Sequence, residues 1–499
     1  MVFSSYVFLL YFLPLTLFMY YASPLRLRHL LLMLLSYTFY GWANPLFVPL
    51  LLASTVIDYF CGLAISGTGP VWLARLSKDP TLLDLWQQPI ALVEPSSNVG
   101  RRRRRNAVII SVFTNLSLLG FFKYFNFGID TVNDLSDWLG APWLRLDVAL
   151  RVTLPLGISF YTFQSMSYTI DVARGHAPAV RRFIDFACYV SMFPQLVAGP
   201  IIRFSEVADQ LAYRKHTVTK FVRGIAFVSI GLAKKVLIAN PCGRVADLAF
   251  NAGVIGTVDA WYGAAAYAFQ IYFDFSGYSD IAIGLGLMLG FVFPKNFNSP
   301  YRATSVTDFW RRWHISLSSW LRDYLYVPLG GNRKGYIRTY ANLAIVMLIG
   351  GLWHGASWTF VVWGAIHGML LTLERIAGRR PLYHALPNGI KIASTFCIVL
   401  VTWVFFRSSD LESAFIYLRS MAGFTPATNA AHLLNYVMWD TYSVMAVLTA
   451  AIVTWTAPQT WDWTMKLTAP RAATALGLLG LSWAVLATQS HNPFLYFIF

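Results

Sequence analysis

Long apolar runs, broken by short polar segments, recur along almost the whole chain. Stretches of about 20 mostly apolar residues, enough to cross the hydrocarbon core of a bilayer, occur near 3–22, 45–66, 107–126, 152–172, 221–240, 339–353, 357–373, 389–406, 441–458 and 472–489. Further runs near 28–43, 183–201, 259–275 and 277–293 are shorter or interrupted. The pattern predicts an all-α fold: a polytopic transmembrane bundle of about eleven spanning helices plus re-entrant or partial ones, organised as a single membrane domain over 1–499. The opening MVFSSYVFLLYFLPLTLFMYY has no basic n-region and no small-residue cleavage site, so it reads as a retained first span and not a removed signal peptide.

Two interruptions refine this picture. Residues 67–105, with Gly67, Gly69, Pro70, Pro80, Pro95, Ser96 and Ser97, form the longest polar stretch and read as a cytoplasmic loop insertion, partly helical around LLDLWQQ. The run 183–201 contains Pro194 and the pair Gly199-Pro200, which break a helix. The segment after it is basic, with Arg203, Arg214, Lys215, Lys220 and Arg223. A full crossing over 183–201 would put those charges on the wrong side of the membrane. A re-entrant hairpin reconciles the two, and because broken backbone is tolerated at membrane depth only beside protein or a water-filled cavity, it predicts a central cavity or tunnel.

Composition agrees with a membrane protein, since 57% of residues are hydrophobic and 12% charged against roughly 25% charged in soluble domains. The net charge of +16 could suggest nucleic acid, but its placement points to membrane topology instead. Arg26 and Arg28 follow the first span and Arg101–Arg105 follow another apolar run, whereas Asp130, Asp134, Asp137 and Asp147 dominate the segment after the next. That alternation follows the positive-inside rule and implies an N-terminus outside the cytoplasm. The arginine run reads first as an orientation anchor. Cys61, Cys188, Cys242 and Cys397 stand singly, excluding a disulfide framework and the usual zinc spacings.

Chemistry concentrates in NFNSPYRATSVTDFWRRWHISLSSWLRDYLYVPLGGNRKG, residues 296–335. Ser305 with Asp308 fits a capping start and Pro328 with Gly330-Gly331 a stop, which predicts a helix over 306–327. That helix carries Asp308, Arg311, Arg312, His314, Arg322 and Asp323, groups too costly to face lipid. On a 3.6-residue period His314 and Ser318 share a polar face, while Trp313, Leu317, Trp320 and Tyr324 share a packing face. Arg311, Arg312 and Arg322 are candidates to bind the phosphates or carboxylates of a donor, the alternative being ion pairs with Asp308 and Asp323. Trp313, Ser318 and Trp353 complete the candidate binding set.

A second histidine, His354, ends an apolar run whose Gly350 and Gly351 allow close backbone approach. Histidine at membrane depth is a functional hypothesis by default. A low-dielectric setting favours the neutral imidazole, which can accept a proton from an attacking hydroxyl; the competing role is a hydrogen-bonded tie between helices. His367 carries the same ambiguity. His29, His176, His216, His384, His432 and His491 fall in loops or helix ends and read as solvated. Two weaker motifs, DFSGYSD at 274–280 and GLGLMLG at 284–290, read as a polar packing network and a close helix contact rather than as calcium or phosphate loops.

Eight strings, taken together, resemble one family. They are MVFSSYVFLLYFLPL at the start, FFKYFNF at 121–127, PLGISFYTFQSMSYTIDV at 155–172, FPQLVAGPIIRF at 193–204, FQIYFDFSGYSDIAIG at 269–284, DFWRRWHISLSSWLRDYLYVPLGG at 308–331, GGLWHGASWTFVVWG at 350–364 and NPFLYFIF at the end. Spanning the chain in order, they are similar to the membrane-bound O-acyltransferases and, within them, the polysaccharide-acetylating branch. The resemblance implies that His354 is the principal catalytic histidine and His314 the second functional position. It implies an acyl thioester donor such as acetyl-CoA, with no bound cofactor or metal. It further implies a polysaccharide acceptor of alginate or cellulose type, a periplasmic hydrolase-like acetyltransferase partner of the SGNH type, and a multi-pass place in a bacterial inner membrane. Peptidoglycan O-acetylation fits the same resemblance. A non-catalytic conduit or flippase for an acylated lipid or polymer is the alternative of a different class.

Overall fold

The computed structural model describes residues 1–71, 92–96, 98–148, 151–378, 380–425 and 436–489. The expected helix at LLDLWQQ, His432, His491 and the terminal NPFLYFIF lie outside the described residues. Among the described residues the regular structure is helical apart from one two-stranded antiparallel pair, β1 (Leu92–Val93) with β2 (Ala179–Val180). It groups into two compact units, one formed by Met1–Gly224 with Leu285–Phe293, the other by Ile225–Gly284 with Pro294–Phe499.

The first unit contains α1 (Leu13–Ala22, preceded by a π-helical turn Val7–Phe12), α2 (Arg28–Gly41), α3 (Val48–Ser66), α4 (Arg101–Leu139), α5 (Ile158–Arg174), α6 (Phe183–Ser191) and α7 (Phe204–Ala212). Its assembly is that of a protein with lipid outside. Over the first part of α4 the buried positions are Ala107, Ser111, Asn115, Leu119 and Lys123, a largely polar stripe at every fourth residue. Ile109, Ile110, Phe113 and Leu116 face outward. Polar groups turned inward must find partners, and these do: Asp58 of α3 accepts from Ser111 at 2.6 Å and from Asn115 at 2.8 Å, and Ser111 also meets Thr169 of α5 at 2.8 Å. One carboxylate thus ties three helices together.

The predicted break in 183–201 is present. α6 ends at Ser191, Met192 is extended, and only the short turn Phe193–Leu196 follows. At nine residues α6 is about 14 Å long, half of what a crossing needs.

The second unit begins within α8 (Val218–Ala233), which runs through a π-helical segment (Lys234–Ala239) into α9 (Asn240–Asn251). α10 (Thr257–Met288), α11 (Val306–Arg312), α12 (Ile315–Leu321), α13 (Gly335–His354), α14 (Trp358–Ile376), α15 (Asn388–Arg407), α16 (Leu411–Met421), α17 (Thr441–Thr456) and α18 (Ala469–Thr488) follow. The two apolar runs 259–275 and 277–293 are one 32-residue helix, α10, with Leu289 onward outside it. The polar residues that divided those runs are inward groups with partners: Asp274 pairs with Lys235 at 2.8 Å, and Asp280 with Lys234 at 2.6 Å. DFSGYSD is therefore a polar packing network, as its sequence suggests.

Five described helices are long and apolar enough on their own to cross a membrane: Pro45–Ser66, Arg101–Leu139, Gly335–His354, Asn388–Arg407 and Ala469–Thr488. Val7–Ala22 and Thr441–Thr456 are apolar but shorter.

Candidate functional site

The predicted helix over 306–327 is interrupted at the histidine. Ser305 accepts from the Asp308 N–H at 3.0 Å and starts α11 as expected. Glu374 of α14 completes the cap, accepting from the N–H groups of Val306 at 2.7 Å and Thr307 at 2.9 Å, which would otherwise be orphaned. α11 stops at Arg312; His314 stands at φ 43° and ψ 57°; α12 starts at Ile315, and a π-helical turn covers Arg322–Tyr326. The shared face of His314 and Ser318 therefore does not exist. Left-handed backbone at a non-glycine residue is disfavoured and persists where surrounding structure over-determines it.

Here the surrounding structure is the 296–298 segment. Its Asn296 carbonyl accepts from Ile315 N–H at 2.8 Å, and Asn298 N–H donates to the Arg312 carbonyl at 2.9 Å, so the break is clamped on both sides. The Asn296 side chain then addresses the imidazole. Its Oδ1 lies 3.1 Å from His314 Nδ1, accepts from Ser316 N–H at 3.3 Å and from Ser316 Oγ at 2.9 Å, and its Nδ2 donates to Ser279 Oγ at 3.0 Å. A backbone N–H can only donate, so the atom shared by Ser316 and His314 is the amide oxygen. Oxygen there makes Nδ1 the protonated nitrogen. In the neutral ring His314 Nε2 is then the unprotonated nitrogen, fully buried and without a hydrogen-bond partner among the described residues.

His354 is the last residue of α13, 6% exposed. Its ring stands edge-on to Trp353, Trp363 and Phe406 at centroid distances of 5.0, 5.3 and 5.2 Å. Trp353 also meets His314, at 5.9 Å, so one indole contacts both histidines. Of the glycines around His354, Gly351 and Gly355 are sterically required, whereas Gly350 has ordinary room. A Cβ on Gly351 would collide with the Phe360 carbonyl of α14, and one on Gly355 with the Phe360 ring.

His367 is buried but committed. Its Nδ1 accepts from Trp310 Nε1 at 3.2 Å, and its Nε2 meets Thr402 Oγ1 at 3.1 Å, which ties α14 to α11 and α15. Of the donor-binding candidates, Arg312 pairs with Asp308 at 2.9 Å, and Arg322 pairs with Asp323 at 2.7 Å on an exposed surface. Arg311 is exposed. Ser318 Oγ donates to the Trp313 carbonyl at 3.3 Å. Trp313 packs between Phe309 and Trp403, in the aromatic core. The structure thus brings His314, Trp353 and His354 together and places Arg312 and Arg322, though not Arg311, in ion pairs with Asp308 and Asp323. Asn296 is the residue that sequence reasoning missed; it lies 18 positions from His314 with no periodic relation to it. His29 is not solvated as expected: it is buried, with Nδ1 2.7 Å from Asp185.

A polytopic helical fold, and two buried histidines on one indole, are matched by similarity to known proteins. Residues 172–408, which hold all three of these inner histidines, match MBOAT, the membrane-bound O-acyltransferase family, and the chain belongs to that family. Its reaction class is therefore acyl transfer to oxygen. Among similar proteins is one named "probable alginate O-acetylase AlgI" from Azotobacter vinelandii, 42% identical over 532 residues that cover 100% of both chains. A protein of the same name from Pseudomonas aeruginosa is 46% identical over 85% of this chain and 75% of its own length. A peptidoglycan O-acetyltransferase from Helicobacter pylori is 37% identical over 85% of this chain and 80% of its own.

Proposed function

We propose that this protein takes an acetyl group from a cytoplasmic thioester, acetyl-CoA or a carrier-bound equivalent, and delivers it for O-acetylation of an exopolysaccharide of the alginate type. The reading places it in a bacterial inner membrane beside a periplasmic SGNH hydrolase-like acetyltransferase. The observation that carries it is His314, whose Nε2 is buried and has no hydrogen-bond partner among the described residues, while its Nδ1 is held by Asn296. An imidazole so arranged is a base waiting for a proton.

In the transfer, the acceptor hydroxyl loses its proton to imidazole nitrogen as its oxygen attacks the thioester carbonyl. The C–O bond forms, the C–S bond breaks, and the sulfur leaves as thiolate and takes up a proton. His314 and His354 are the residues for these proton movements, and the indole of Trp353 keeps their rings in fixed relation. Such acid–base assistance is worth about 10² to 10⁴ in rate. Full-length similarity to proteins named for alginate supports the acceptor class more strongly than the 37% likeness to a peptidoglycan enzyme.

The test is complementation of a deletion strain with wild type, His314→Ala or His354→Ala, measuring polymer acetyl content and membrane levels of the protein. Loss of acetylation at normal protein level is expected for both variants. A His354→Ala protein that still acetylates the polymer would sink the assignment, and a conduit would predict that result.

A further inference from the structure

In the first unit, the turn between α1 and α2 and the loop after α7 enclose a cavity of about 260 Å³. Its polar lining is Arg26, Arg28, His29, Tyr213, Arg214 and His216. Arg214 is built in. Its Nε and one terminal nitrogen donate to Tyr20 Oη at 3.0 and 2.9 Å, its other terminal nitrogen donates to His29 Nε2 at 2.8 Å, and its guanidinium carbon lies 4.5 Å from the centroid of the Phe291 ring. Because an arginine can only donate, His29 Nε2 is the acceptor, His29 carries its proton on Nδ1 towards Asp185, and the imidazole is neutral.

The charge count is then lopsided. Asp185 accepts from Arg182 at 2.9 Å, while among the described residues no carboxylate pairs with Arg26, Arg28 or Arg214. Arg28 donates to the Ser23 carbonyl at 3.3 Å and lies over Tyr20, 4.9 Å from the ring centroid. His216, outside the spanning segments, is also neutral: burial, and then the guanidinium of Arg214, push its pKa down to about 4. An arginine that only orients a membrane protein keeps its head in water. Arg214 instead gives three of its five N–H donors to neutral acceptors and leaves two without a hydrogen-bond partner among the described residues, in a cavity that Arg26 and Arg28 also line.

We propose that this cavity binds a phosphate-ester anion. Planar guanidinium forks match phosphate oxygens, and several converging cations suit a charge spread over more than one oxygen. Leu25 and Leu211 in the wall would receive the apolar portion of an amphiphile. A phospholipid headgroup and the phosphate of a soluble thioester donor both carry this chemistry. The inference is independent of the catalytic reading, because binding is measured without turnover.

The test uses full-length protein in phosphatidylcholine nanodiscs, with binding of coenzyme A, of pyrophosphate and of added phosphatidylglycerol read separately by native mass spectrometry. Arg28→Gln/Arg214→Gln is compared with wild type, and Arg102→Gln/Arg103→Gln serves as a charge-matched control. The expected result is a loss of roughly tenfold or more in affinity for at least one probe in the cavity variant and no loss in the control. Should the double variant fail to fold, Arg26→Gln, at an exposed arginine of the lining, must weaken the same probe several-fold. Sensitivity confined to phosphatidylglycerol assigns the site to lipid, and sensitivity to coenzyme A or pyrophosphate assigns it to a soluble ester. Equal binding of all three probes by wild type and cavity variants, or an equal loss in the control, overturns the proposal.

Discussion

Asn296 Oδ1 lies 3.1 Å from His314 Nδ1, and the same oxygen accepts from the backbone N–H of Ser316. The second contact identifies the oxygen, and the oxygen decides which imidazole nitrogen is basic. On the proposed function, Asn296 is a positioning residue. Asn296→Ala is expected to lower the kcat of acyl transfer by about 10- to 100-fold, by analogy with other partners that orient a working histidine, with little change in donor KM. A purely structural role would instead lower the amount of folded protein and leave the kcat of the remainder intact, a split that kinetics on purified protein resolves.

His367 offers the contrast. Both its nitrogens are engaged, with Trp310 and Thr402, so it ties helices together. His367→Ala should retain measurable acetylation while losing about 1–3 kcal/mol of stability from the groups left unpaired, seen as a lower melting temperature in detergent. Abolished activity in a protein of unchanged melting temperature would contradict this assignment.

Gly355 follows His354 because Phe360 occupies the space a side chain would take. Gly355→Ala should cost about 1–3 kcal/mol through overpacking and reduce activity by displacing His354. Phe360→Leu on the same chain should recover part of both, whereas no recovery would show that the ring is not the obstacle.

Lys235 and Asp274 form a buried pair at 2.8 Å, with side chains 5% and 2% exposed. Removing one partner strands a charge, at about 3–5 kcal/mol. Lys235→Met alone should therefore express poorly. Lys235→Met with Asp274→Leu should recover most of the yield, since an apolar pair of similar volume replaces the ion pair at little cost. Measuring monodisperse yield by size-exclusion chromatography separates the two outcomes.

Much of this protein is legible one residue at a time. The apolar runs predict helices because a bilayer leaves the backbone no other partners, and the break after Ser191 is written in Pro194 and Gly199-Pro200. The Ser305 cap, the packing role of DFSGYSD and the prominence of His314 and His354 follow from local pattern and family resemblance. Locally, too, the chain argued for one continuous helix across His314, and there local pattern misleads. Nothing within 306–327 announces the break, because its cause is the Asn296–Asn298 segment hydrogen-bonded alongside it.

The same limit explains the arginines and His29. Whether a charged side chain meets a ligand, an ion partner or water depends on which residues far along the chain arrive beside it. Asp308 and Asp323 are close in sequence and took Arg312 and Arg322. Asp185 took His29 from 156 positions away. Sequence by itself determined the class of fold, the break after Ser191 and the candidate histidines, since these rest on short-range pattern and residue chemistry. Only tertiary structure decided which imidazole nitrogen is basic, which histidine is a tie and which guanidinium groups meet no carboxylate among the described residues, because a hydrogen-bond partner is set by proximity in space.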